Sequence, residues 1–169
     1  MQRPQPNEYP GFYANYVALA TGSEINEVIQ HHSETIHQFY NNIPEDKADF
    51  AYAVGKWTVK DLLQHLIDAE RVFVYRAMRF ARKDSQALLG FSEDDYAANA
   101  NAGRRTLQSL KDELLSLRTS TDLFLQSLND SQLQQIGWAN NNSITVNAIS
   151  FIIFGHLIHH KNILQERYL

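Results

Sequence analysis

The chain has 169 residues, 44% hydrophobic and 20% charged, a globular composition of one ordinary domain's length that can bury a core without disulfides or a structural metal. It has no cysteine, which excludes a disulfide scaffold, Cys-ligated zinc, Fe–S clusters and a cysteine nucleophile. The net charge of −4, from 15 Lys and Arg against 19 Asp and Glu, argues against nonspecific nucleic-acid binding.

The opening MQRPQPNEYPGF lacks the apolar core of a signal peptide. Residues 1–20 are expected to be an irregular segment leading into a single domain spanning 1–169, located in the cytoplasm. The first helix runs from about Ser23, a plausible N-cap, to Asn42. Ile25, Val28, Ile29, His32, Ile36, Phe39 and Ile43 make one helical stripe, and Pro44 stops it. A short strand around Asp49–Val54 is the only period-2 candidate.

The second helix starts at Thr58. Thr58-Val-Lys-Asp61 reads as a capping box with Asp in the place of Glu, and Trp57 before the cap can staple onto Leu62. This helix continues to about Arg82. The third spans roughly Ser92 to Leu128, with Gly103 a point of breakage and Leu107, Leu110, Leu114, Leu117, Thr121, Phe124 and Leu128 on its buried face. Asn129–Asn142 reads as a polar connection with one helical turn at most, and its two N-x-S sequons as chance matches.

The fourth helix covers about Thr145 to Tyr168. It is apolar on nearly all sides between Val146 and Ile158, so it should be the most buried. That run is too short to span a membrane, which takes about 20 apolar residues. Four long helices, antiparallel in type, imply an all-α four-helix bundle. The apolar fourth helix and the long apolar face of the third offer more surface than one thin bundle buries, so a homodimer is expected.

Seven histidines carry what chemistry the chain has. His156 and His160 are spaced i,i+4 and fall in the inward stripe Ile149, Ile152, Ile153, His156, His160, Ile163, Leu164. Buried imidazoles need partners, and a divalent metal satisfies both. His65, between Leu62 and Ala69 on the inner face of the second helix, could supply a third ligand. Core histidines bonded to backbone carbonyls share this pattern, so spacing alone leaves both readings open. If the second and fourth helices run parallel with level starts, His65 lies about 9 Å from the mean height of the pair. The helices must then be displaced or tilted to share an ion.

Asp68, at i+3 from His65, could orient an imidazole or act as a base; it could equally be an exposed acid. His159 points 60–100° away from the pair and could serve as an acid, a base or a substrate contact. Arg71, Tyr75, Arg76, Arg79 and Arg82 form a basic stretch that Glu70 or Asp94 could partly neutralise. His32 reads as a satisfied core histidine.

Three stretches carry a family resemblance: Tyr52-Ala-Val-Gly-Lys-Trp-Thr-Val-Lys-Asp-Leu-Leu-Gln-His65, its continuation to Arg82, and Gly155-His-Leu-Ile-His-His160. With Gly90-Phe91 and Gly137-Trp-Ala139 they make the chain resemble the DinB-like superfamily, the DinB/YfiT-like metalloenzymes. The resemblance implies a four-helix bundle, commonly homodimeric, and a divalent metal held by the positions of His65, His156 and His160. Zinc and nickel are the first expectations, with iron or cobalt also compatible with an all-imidazole set. It further implies a metal-dependent enzyme acting on a small-molecule substrate, hydrolase-like with metal-activated water. The alternatives are an S-transferase or isomerase using a small thiol of the bacillithiol, mycothiol or glutathione type, or a non-catalytic metal-binding stress protein. No nucleic-acid or membrane partner is expected.

Overall fold

The computed structural model describes residues 1–169. Its long helices are α2 (Ile25–Asn41), α3 (Val59–Ala81), α5 (Leu107–Gln126) and α7 (Val146–Arg167), joined by shorter α1 (Ala14–Leu19), α4 (Glu93–Ala100) and α6 (Asp130–Leu133). A two-stranded antiparallel hairpin, β1 (Ile136–Ala139) and β2 (Asn142–Thr145), leads straight into α7. No helix is long and apolar enough to cross a membrane.

Most helix starts obey the local chemistry of their caps. Thr58 Oγ1 accepts from the Asp61 N–H at 3.1 Å, and the Asp61 carboxylate takes the Thr58 N–H at 3.0 Å. Ser92, Thr106 and Thr145 cap α4, α5 and α7 by accepting from the N–H three residues on, without the reciprocal bond. The helix α2 departs from expectation: Glu24 occupies its cap position, while Ser23 donates its N–H and hydroxyl to the Glu27 carboxylate at 2.8 and 2.7 Å. The long third helix breaks into α4 and α5 around Gly103, with Asn101 in the left-handed region at φ 54°.

Residues 1–20 are only partly irregular. They contain α1, which packs on α7 and buries Val17 and Ala20. The Arg3 guanidinium ties the segment down by donating to the carbonyls of Val17, Ala20 and Gly22. Close approach of α1 requires Gly155, because a Cβ there would overlap the Tyr16 carbonyl. Asp49–Val54 is not a strand. The hairpin replaces the second half of the expected polar connection. Its turn residues Asn140 and Asn141 both have positive φ, 50° and 61°, as a two-residue hairpin turn demands.

Around the bundle, α2 packs on α5 and α7, and α3 packs on the same two. The helices α3 and α7 are antiparallel: the Tyr168 hydroxyl reaches the Trp57 carbonyl at one end, and Phe73 meets His156 further along. The pair α2 and α5 is antiparallel too, through Ser33 to Asp122 and Ile43 to Lys111. The other neighbours are parallel, unlike the antiparallel set expected. In α2 and α7, His32 faces Phe154 and Phe39 faces Lys161. In α3 and α5, Arg71 pairs with Glu113 while the cap-proximal Gln64 meets Arg105. Parallel neighbours α3 and α5 demand a connection that returns the length of the bundle. Residues 82–106 provide it and carry α4 on the way.

Every residue of α7 from Val146 to Leu157 is buried within the one chain, so that stretch leaves no apolar face for a second copy. The core also encloses a polar knot. Arg118, fully buried, donates to Glu70 Oε1 at 2.9 Å and to Asp122, and stacks 4.6 Å from the Phe154 ring centre. Thr121 donates to the same Glu70 oxygen at 2.6 Å, and Ser33 to Asp122 at 2.6 Å. Glu70 therefore neutralises an arginine of α5, not the basic stretch of its own helix.

Candidate metal centre

His65 from α3 and His156 and His160 from α7 converge, with one ligand atom from each lying within 4.8 Å of the others. The Nε2 atoms of His65 and His156 are 3.0 Å apart, so at most one of them carries a proton between the rings. His160 Nδ1 is buried with no hydrogen-bond partner. The ring centres of His65 lie 5.0 Å from both partners. The axial offset feared for parallel helices vanishes because α3 and α7 are antiparallel.

Burial sets the electrostatics. It holds the His65 imidazole down to about 4, with the Asp94 carboxylate pulling the other way. Burial, then the neighbouring His65 and His159, holds His160 at about 3. Burial and the three surrounding imidazoles push His156 well below its ordinary value. All three rings are therefore neutral near pH 7, the form that ligates a metal. No other His, Asp or Glu joins the cluster, so an ion held here would have three protein ligands and open coordination.

Aromatic rings wall the trio. Trp57 lies over His65 at 4.8 Å instead of simply stapling the cap, Phe73 meets His156 at 5.8 Å, and Tyr16 lies 5.5 Å from His156. His159 is outside the trio. It is half-buried, with its ring inclined to that of Tyr16 at 5.3 Å and edge-on to that of His160 at 5.0 Å. Asp68 lies elsewhere. It accepts from Gln64 at 3.0 Å and opens on a separate cleft between α3 and α4. His32 is satisfied but is not the core histidine expected: it is half-buried, and its Nε2 accepts from the Thr21 N–H at 3.0 Å.

Two clefts reach the trio, one at His160 and one at His156. One, about 260 Å³, is lined by Trp57, Asp94, His160 and Arg167. The other, about 230 Å³, is lined by Tyr13, Tyr16, Phe73, Arg76, Glu93 and His156, among others. The first turn of α4 thus contributes Glu93 to one cleft and Asp94 to the other. Its position is fixed by the crossover, where Leu88 pairs with Ala139 of β1 and Gly90 lies against Asn140. Sequence reasoning missed Tyr13, Tyr16 and Glu93. The first two sit in a segment without periodicity, and no local signal marks Glu93 as facing a histidine of α7.

The sequence pattern of the DinB superfamily matches residues 29–164, a stretch that contains all three histidines. The chain belongs to the DinB superfamily. No curated protein sequence matches it closely. Two solved structures share the fold of this DinB member. YfiT from Bacillus subtilis, described as a probable metal-dependent hydrolase with an unusual four-helix bundle topology, superposes with a TM-score of 0.71 at 17% identity, covering 96% of this chain and 89% of YfiT. A Streptococcus pneumoniae protein superposes at 0.60 with 18% identity, over 93% of this chain and 99% of its own. At these identities the likeness establishes the fold alone.

Proposed function

We propose that this DinB member is a metal-dependent hydrolase whose divalent ion is held by His65, His156 and His160. The observation that carries the proposal is the trio itself: neutral imidazoles from two helices, two of them buried and the third partly so, with ligand atoms within 4.8 Å and no fourth His, Asp or Glu in the cluster. Without an ion, the buried His160 Nδ1 is unpartnered and two Nε2 atoms face each other at 3.0 Å. That donor set suits zinc or nickel first, and iron or cobalt as well.

When bound, such an ion supplies Lewis-acid chemistry, acidifying a water or polarising a carbonyl. The protein's own residues do the rest. Trp57, Phe73 and Tyr16 shield the imidazoles from bulk water and fix their rings. His159, outside the ligand set, packs against His160 and against Tyr16 of the second cleft, and we assign it proton transfer at the substrate. The separate location of Asp68 gives it no such contact in this arrangement.

Metal analysis of the purified protein, followed by parallel assays with ester and amide substrates and with small-thiol conjugation, tests the proposal. About one divalent ion per chain and metal-dependent hydrolysis are expected. Thiol conjugation without hydrolysis would instead support the transferase reading, and a loaded but inert protein the non-catalytic one.

A further inference from the structure

Two arginines of the chain are buried, Arg118 at 0% exposure and Arg76 at 6%. Arg118 is neutralised by Glu70 and Asp122. Arg76 has no ion pair. One of its Nη atoms donates to the Leu89 carbonyl at 3.1 Å, and the Tyr13 phenol is the group that bears on its charge. Guanidinium cannot shed its proton in a protein, and an uncompensated buried ion is costly. Its neighbours on α3 show how readily the chain finds partners: Arg71 pairs with Glu113 and Arg79 with Asp84.

The side chain of Arg76 lines the 230 Å³ cleft whose other lining residues include His156, Tyr13, Tyr16, Phe73 and Phe91. Phe73, which contacts His156, lies one helical turn before Arg76 on α3. The cleft therefore joins a metal ligand, an aromatic wall and an unneutralised buried cation. We propose that Arg76 anchors the carboxylate of a small aromatic or apolar substrate, bound in this cleft with its remainder directed toward His156. Guanidinium matches a carboxylate bidentately, and the aromatic walls match an apolar body. Glu93 lines the same cleft, and its like charge disfavours a phosphate dianion more than a monoanionic carboxylate. The inference deepens the hydrolase reading and rests on it for the role of the cleft.

Calorimetry on the full chain tests it, with 3-phenylpropionate, its neutral amide and inorganic phosphate as probes. Each is titrated into metal-loaded and chelator-stripped protein, with metal content measured separately. The acid should bind wild type saturably in both states, and the amide should bind more weakly by roughly ten- to a hundredfold. Arg76→Gln should lose acid binding by a similar factor and leave the amide unchanged, its fold checked by circular dichroism. The inference is overturned if wild type binds acid and amide equally, if it binds neither, if phosphate outcompetes the acid, or if a folded Arg76→Gln retains the acid. Acid binding confined to the metal-loaded state would also overturn it, by placing the carboxylate on the ion. The wild-type comparison of acid with amide decides the matter even if Arg76→Gln does not fold. A protein that takes up no metal yet binds the acid through Arg76 would remove the hydrolase reading and leave the anchor standing.

Discussion

The Tyr168 hydroxyl donates to the Trp57 carbonyl at 3.0 Å, joining the end of α7 to the start of α3. His65 lies eight residues after Trp57, and His160 lies eight residues before Tyr168. Antiparallel helices that meet at this bond place the two imidazoles at one height, with His156 one turn further along. Tyr168→Phe should leave the Trp57 carbonyl without this donor and lower stability by about 1 kcal/mol, measured by denaturant titration. Metal content should survive, because the rest of the α3–α7 contact remains.

Metal binding should separate ligands from neighbour within one short motif. Single changes His65→Ala, His156→Ala and His160→Ala should each abolish stoichiometric metal uptake, read by elemental analysis. His159→Ala should keep the metal and lower turnover. Loss of metal from His159→Ala equal to that from His156→Ala would refute the assignment.

Stripped of metal, the protein should lose stability as pH falls below about 6.5. The sign follows from the depressed values of about 4 for His65 and about 3 for His160. Below 6.5 the unfolded chain takes up protons that these buried rings refuse, so unfolding gains. Their contribution is fully present above 6.5 and disappears progressively as pH falls through the folded values. Denaturant midpoints of chelated protein at pH 7.5 and 5 check this, and His65→Ala should flatten the slope.

Gly155→Ala should push α1 off α7, because the new methyl meets the backbone of Tyr16 and not a flexible side chain. A loss of about 1–3 kcal/mol is expected. Gly11→Ala, where a Cβ meets nothing within 4 Å, is the matched control and should change the melting temperature little.

The core knot should be costly to halve. Arg118→Leu strands the Glu70 and Asp122 carboxylates, and a loss of about 3–5 kcal/mol is expected. The triple change Glu70→Leu, Arg118→Leu and Asp122→Leu should recover part of that loss, as measured by chemical unfolding.

Rotational phase was legible in the sequence. The stripe through Ile149, Ile152 and Ile153 turned His156 and His160 inward, and the Thr58–Asp61 box fixed where α3 begins and hence the phase of His65. These are local properties, set within one or two helical turns by backbone geometry and caps. Axial height, helix direction and choice of neighbour are not local. They depend on contacts such as Trp57 with Tyr168, Leu88 with Ala139 and Tyr16 with Gly155, between residues far apart in the chain. The hairpin escaped notice because the small inward residues of β1, Gly137 and Ala139, give no apolar alternation over four positions. Arg76 read as one more member of a basic stretch for the same reason. The sequence supplies its charge, but only the packing of α1, α4 and the crossover against α3 leaves it without an ion pair and puts it in one cleft with His156.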